Sequence, residues 1–571
     1  MLRAFAFFGF LVGWCTGAFA NAPLTPEILR DQAFVTAQRA DTSVAGDALQ
    51  KALARLAAKT PLLSALVRLQ QDEEENIARL RAAFFAATEG TGVDAEAEVE
   101  RLEQQLDQAK ARLAALGERL ARDFPAYADL VANRPLTRAD VQGFLKPGEA
   151  LVLIITDVDE SYLWAIGPNE ATWHRAGLGT NALAQRVKTL RQSLALPGSS
   201  ASFDRGADAM DDDGDVPPAD RQFDRALAHE LYKELLAPLA PVLDKANHVM
   251  MVRSGPLASL PFAMLVTDPP PAGGEWSDMP LEDTPWLIRK QALSTLPVIT
   301  SLRIMRQGGE ATAVAQREPF VGFGDPLLGS VLAAARNGEE PVQVATANGG
   351  EQPVYTRGVF DNIMAVAELA PLPNTRRELL ALAEVTGAAE DRLFMGAQAS
   401  ETQVKATDFS RARIIAFATH GLLAGGIAGL QEPALVFTPP QEPTALDDGL
   451  LTASEAAALN LSADLVILSA CDTAGSDGSP GAEGLTGLAR SFLYAGAKAL
   501  LVSHWPVDDY AASALTTRLI GRMNAGDGSN TLGGRAAALR HSILALMEDP
   551  KARNRAHPRI WAPFVVVGEG G

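Results

Sequence analysis

The sequence predicts an α/β protein: a mainly parallel sheet flanked by helices, preceded by an N-terminal helical, coiled-coil-like module. Three observations carry that prediction. From Thr25 to about Leu145, apolar residues recur at three- and four-residue spacing. At Ala150 the period changes to that of strands. From His248 onward, short apolar runs alternate with helical stretches, as a parallel sheet requires. With 571 residues the chain is too long for one hydrophobic core, and its 47% hydrophobic and 21% charged residues are those of a globular protein. A net charge of −19 argues against nucleic acid as the primary partner, because phosphate binding needs a basic face.

Residues 1–20 read as a signal peptide. Arg3 supplies the positive start, Ala4 to Gly17 form the apolar run, and Ala18-Phe19-Ala20 is a small-x-small cleavage site before Asn21. The expected mature chain is exported, periplasmic or secreted; an uncleaved N-terminal anchor is the alternative. The run is shorter than the ~20 apolar residues that span a bilayer, and no later stretch reaches that length without a charge or a Gly/Pro break. Cleavage removes Cys15 and leaves Cys471 as the sole cysteine, which excludes an internal disulfide. A lone cysteine is either a small buried hydrophobe or a reactive thiol.

The helical module covers 21–145. Thr25-Pro26-Glu27 is a helix start, with a hydroxyl cap, a proline in the first turn and a carboxylate behind it. Leu49, Leu53, Leu56, Leu62, Leu66 and Leu69 form one stripe; Val99, Leu102, Leu106, Ala109, Leu113 and Leu116 form another. A long antiparallel hairpin or short coiled coil follows, turning at Glu89–Gly92. No 34-residue repeat is recognisable.

The remainder, 146–571, is expected to hold an accessory half (about 146–328) and a second half (about 372–571). Leu151–Thr156 and Ser161–Ile166 read as a hairpin. Gly198–Arg221 reads as a loop whose Asp211-Asp-Asp-Gly-Asp215 lacks the calcium-loop spacing. Phe223–Leu239 is helical. Strands are expected at Val249–Val252, Pro319–Phe323, Ile414–Ala418, Leu465–Ser469, Ala499–Ser503 and Pro563–Val567, and helices at Arg376–Thr386, Ala482–Ala495, Tyr510–Met523 and Ala536–Met547. Gly329–Pro371 is rich in Ala, Gly, Glu and Pro and reads as a mobile loop.

Two strands end in reactive side chains. Ile414–Ala418 leads to Thr419-His420-Gly421, and Leu465–Ser469 leads to Ala470-Cys471-Asp472. In an open parallel sheet the C-terminal strand edges form the ligand crevice, so both side chains are expected to open into one solvent-accessible cleft. A free thiol is mostly protonated at neutral pH; an adjacent imidazole can take its proton and later protonate the leaving amine. The backbone N–H groups of Gly421 and Cys471 are the candidate oxyanion donors.

These residues lie among motifs that resemble the CHAT domain family of caspase- and separase-related proteins. The motifs are Gly255-Pro-Leu-Ala-Ser-Leu-Pro-Phe262, Leu372-Pro-Asn-Thr-Arg-Arg-Glu378, Ala418–Gly421, Leu468–Thr473, Glu483-Gly-Leu485, Ala489–Gly496, Trp505–Asp509 and Trp561–Phe564. The resemblance implies a caspase-like sheet and a His-Cys dyad carried by His420 and Cys471, which stand 51 positions apart, near the roughly 50 of caspases. It implies a cysteine endopeptidase with a protein substrate, no metal and no organic cofactor. A catalytically idle or gated interaction module is the alternative, and a protein partner through the N-terminal helices is the other expected contact. Asp472, Asp508 and Asp509 are candidates for an S1 pocket that selects Arg or Lys; Asp477 and Glu483 add to the negative charge nearby. Asp508 also reads as a helix cap, and Trp505 as a strand-end packing residue.

Overall fold

A computed structural model describes residues 25–40, 93–124, 135–194, 223–307, 317–329, 369–422, 430–469 (apart from 431, 442, 443, 445 and 446), 487–505, 509–524, 534–552 and 554–571, with residue 366 and single positions between 63 and 87. The signal segment, the Glu89–Gly92 turn, the 198–221 loop and nearly all of the 329–371 interval lie outside the described residues.

Helix α1 (Pro26–Ala40) starts where its cap predicts: Thr25 Oγ1 accepts from the N–H of Ile28 at 3.3 Å. It is anchored by Phe34, whose buried ring meets Trp164 at 6.1 Å, and by an ion pair from Asp31 to Arg138 at 2.8 Å. Helix α2 (Val93–Asp123) runs 31 residues. The described positions between 63 and 87 are helical and lie antiparallel to it: Ile77 buries with Leu106 and Ala109, and Glu73 pairs with Arg112 at 2.8 Å.

An eleven-stranded sheet then forms the body of the protein. Its accessory strands are β1 (Glu149–Thr156), β2 (Ser161–Ile166), β3 (Ala171–Ala176), β4 (His248–Arg253) and β5 (Ala292–Thr295). The others are β6 (Glu318–Gly324), β7 (Leu393–Met395), β8 (Ala412–Ala418), β12 (Leu465–Leu468), β13 (Ala499–Ser503) and β14 (Phe564–Gly568). Across the sheet they lie in the order β3-β2-β1-β4-β5-β14-β13-β12-β8-β6-β7. The β1–β2 hairpin pairs antiparallel as predicted. The last strand, β14, is antiparallel to β13 and pairs with β5 on its other side, so the C-terminus of the chain joins the accessory strands to the rest. The predicted class holds: the sheet is mainly parallel, and its two parallel stretches, β1-β4-β5-β14 and β13-β12-β8-β6-β7, run in opposite directions and meet at the β14–β13 pair.

Both faces of the central strands are buried, which is why they read as continuous apolar runs. Along β8, Ile414, Ala416 and Ala418 join one core and Ile415 and Phe417 the other; along β12, Leu465 and Ile467 oppose Val466 and Leu468. On the second face Phe417 stacks with Phe323 at 5.5 Å and meets Phe492 at 5.0 Å. The first face is covered by helices that include α3 (Arg225–Leu235), α4 (Pro373–Thr386), α6 (Asp509–Asn524) and α7 (Gly534–Glu548); α5 (Gly487–Ala495) covers the second. Helix α3 is shorter than the predicted 223–239 span, because Pro238 sets a 3-10 turn at Ala237–Leu239 after it.

Two glycines bring α4 close to the sheet. A Cβ at Gly322 would stand 2.9 Å from Leu379 Cδ2, and one at Gly324 would stand 2.6 Å from the Ala418 carbonyl oxygen. A larger residue would crowd the Leu379 side chain of α4 at both positions and, at Gly324, the β8 backbone as well.

Candidate active site

Strands β8 and β12 are adjacent, parallel and in register, with Leu468 opposite Phe417. The ladder extends one step further, where the N–H of Ser469 donates to the Phe417 carbonyl at 3.0 Å. Both strands therefore end at one edge of the sheet. From that edge the chain runs through Thr419 to His420, and from β12 through Ser469 toward Cys471.

His420 is held from several sides. Thr419 Oγ1 donates to the carbonyl of Val436, in β10 (Ala434–Val436), and the Val436 N–H donates back to the His420 carbonyl at 3.0 Å. Gly421 opens the two-residue strand β9 (Gly421–Leu422), opposite Leu435 of β10. β9, β10 and β11 (Leu450–Thr452) make a small second sheet beside the main edge. On the ring itself, Nε2 lies 2.8 Å from the carbonyl oxygen of Ala370. A carbonyl only accepts, so Nε2 carries a proton, and in the neutral ring the basic lone pair is on Nδ1. That is the tautomer a general base requires if the thiol approaches Nδ1.

The expected open crevice is corrected at this residue: His420 is 6% exposed. The ring is held against the Ala370 carbonyl, and a backbone acceptor leaves no signature in sequence.

Cys471, Asp472, Asp477, Glu483 and Asp508 lie outside the described residues. Asp509 is the first residue of α6. Trp505 is buried, its indole N–H donating to the Arg559 carbonyl at 2.9 Å, in keeping with the packing role expected of it.

Two features of this edge were not read from sequence. His504 follows β13 on the same edge as His420 and is 1% exposed. Burial first, then the charges of Arg191 and Arg253, hold its pKa well below the ordinary histidine value, so it stays neutral and far from the near-neutral pKa that suits a general base. The other is Glu378, one turn into α4 and 4% exposed, whose Oε2 accepts from Ser469 Oγ at 3.1 Å. The sequence offered it only as one letter of a motif. Among the described residues, no group of three His, Cys, Asp or Glu side chains is placed to hold a metal ion, and no helix is long and apolar enough to cross a membrane.

The model of the CHAT domain matches residues 225–569. Tetratricopeptide repeat protein 28 of Mus musculus is 28% identical over 229 residues, which are 35% of this chain and 9% of that protein. Among solved structures, two of the Saccharomyces cerevisiae separase–securin complex show TM-scores of 0.37 and 0.36 at 10% and 11% identity, covering 87% and 96% of this chain but 37% and 41% of theirs. The Arg-specific cysteine proteinase gingipain R shows a TM-score of 0.29 at 8% identity, over 61% of this chain and 66% of its own.

Proposed function

Because this chain belongs to the CHAT domain family, matched over residues 225–569, we propose that it is an exported cysteine endopeptidase with Cys471 as nucleophile and His420 as base. The observation that carries the reading is the hydrogen bond of His420 Nε2 to the Ala370 carbonyl, at the strand edge shared with β12. Nδ1 takes the Cys471 proton; the thiolate attacks the peptide carbonyl and the C–N bond breaks. The imidazolium returns the proton to the departing amine, and water, deprotonated by the same ring, hydrolyses the thioester. The N–H groups of Gly421 and Cys471 stabilise the tetrahedral oxyanion. Asp472, Asp508 and Asp509 supply negative charge for a cationic P1 side chain, and the N-terminal helices offer a surface for a protein partner. Export rests on the Arg3-to-Ala20 series.

The burial of His420 favours a gated form of this activity over a permanently open one. An idle fold kept for binding is the opposed reading. Incubation with a thiol-directed peptide inhibitor, followed by mass mapping, separates them: adduct at Cys471 supports the peptidase, and no adduct with or without a trigger supports the interaction module.

A further inference from the structure

A buried carboxylate is costly unless it is hydrogen-bonded, so the partners of Glu378 show what it is for. Its Oε2 accepts from Ser469 Oγ at 3.1 Å, and Thr516 Oγ1 of α6 lies 3.3 Å from Oε1. Ser469 and Thr516 are 2% and 0% exposed. Ser469 follows the parity of Leu465 and Ile467, the face on which α4 packs, and its N–H makes the last ladder bond of β12 among the described residues. Cys471 comes two residues later in the chain. The same stretch of chain serves the other side of the edge: Ala370, just before α4, receives the His420 Nε2–H.

We propose that Glu378 is a positioning residue for the nucleophile, fixing the end of β12 through Ser469 while Ala370 fixes His420, so that one stretch of chain, 370–378, bears on both sides of the dyad. The proposal rests on the assignment of Cys471 made above. Its described link to the dyad runs through Ser469. The contrasting role is purely structural, in which the carboxylate only satisfies buried hydroxyls between α4 and α6.

The test is the pH dependence of Cys471 alkylation by iodoacetamide in the full chain, read on the Cys471 peptide by mass spectrometry, beside peptide hydrolysis and thermal unfolding. The variants are Glu378→Gln, which keeps the volume, and Ser469→Ala, which breaks the link from the strand side. Both are expected to slow alkylation at pH 7 about 10-fold or more and to move its midpoint upward, toward the ~8.5 of a free thiol. Unchanged rate and midpoint in folded variants, with or without a lower melting temperature, would overturn the proposal. If alkylation falls in both variants while the wild type hydrolyses no peptide, the positioning role stands and the peptidase reading fails. A wild-type midpoint already near that of a free thiol would overturn the positioning role, while the peptidase reading would stand or fall on the hydrolysis assay.

Discussion

His420 Nε2 lies 2.8 Å from the carbonyl oxygen of Ala370, fifty positions earlier in the chain. One backbone oxygen thereby orients the ring and selects its tautomer. Replacing His420 leaves that half-buried carbonyl without this donor. His420→Ala should therefore cost stability, about 1–3 kcal/mol, beyond any loss of activity. Urea unfolding of His420→Ala against wild type checks it. Identical midpoints would mean that the Ala370 contact does not persist in solution.

A second expectation concerns the other half of the sheet. Glu149 opens β1 with a fully buried side chain, and both its oxygens lie 2.8 Å from Arg306 Nη2. Burial by itself would raise its pKa. The nearby His248 ring, the Arg306 charge and the Lys146 N–H bring it down from 4.5 to about 2. His248 Nδ1 stands 3.9 Å away, too far for a hydrogen bond, so Arg306 and the Lys146 N–H at 2.8 Å carry most of the effect. The sign follows: a depressed carboxyl contributes stability that is complete above its unfolded value and fades as pH falls toward about 2. Glu149→Gln should lower stability by about 3–5 kcal/mol at pH 7, because Arg306 is left uncompensated. The gap to wild type should narrow below pH 4.5. A pH-independent gap in denaturant midpoints would contradict this.

Substrate choice follows from charge. The chain after β12 carries Asp472, Asp477 and Glu483, and that after β13 carries Asp508 and Asp509, whereas Arg490 lies within α5 and Lys498 just after it. Cleavage after Arg or Lys should outpace cleavage after Asp. A panel of fluorogenic peptides differing only at P1 measures it; faster turnover after Asp would reverse the assignment.

Export predicts that protein recovered from its native host begins at Asn21. Edman sequencing or terminal-peptide mass mapping decides it, and a chain still starting at Met1 or Leu2 refutes cleavage.

The long, doubly buried strands were legible because nothing but apolar, β-rich residues suits them: β13 was read to its ends, and β4, β6, β8, β12 and β14 to within two residues. Short or half-exposed strands were not. β3 is ATWHRA with one buried residue, and β5 and β7 have four and three residues, too few to show a period. The β5–β14 pairing joins segments some 270 positions apart, and only tertiary packing specifies it. At the site, the residue types and the strand edge could be read in advance. The burial of His420 and the reach of Glu378 could not, since the Ala370 carbonyl and the Ser469 hydroxyl meet these side chains only through tertiary packing.

The dyad itself is tested most directly by steady-state hydrolysis of an Arg-P1 peptide by wild type, Cys471→Ala and His420→Ala, with folding matched by circular dichroism. Because the pair works as a unit, each variant should lose about 10³-fold or more in kcat, and the double variant should lose no more than the worse single one. Wild-type turnover in either folded variant would contradict the account.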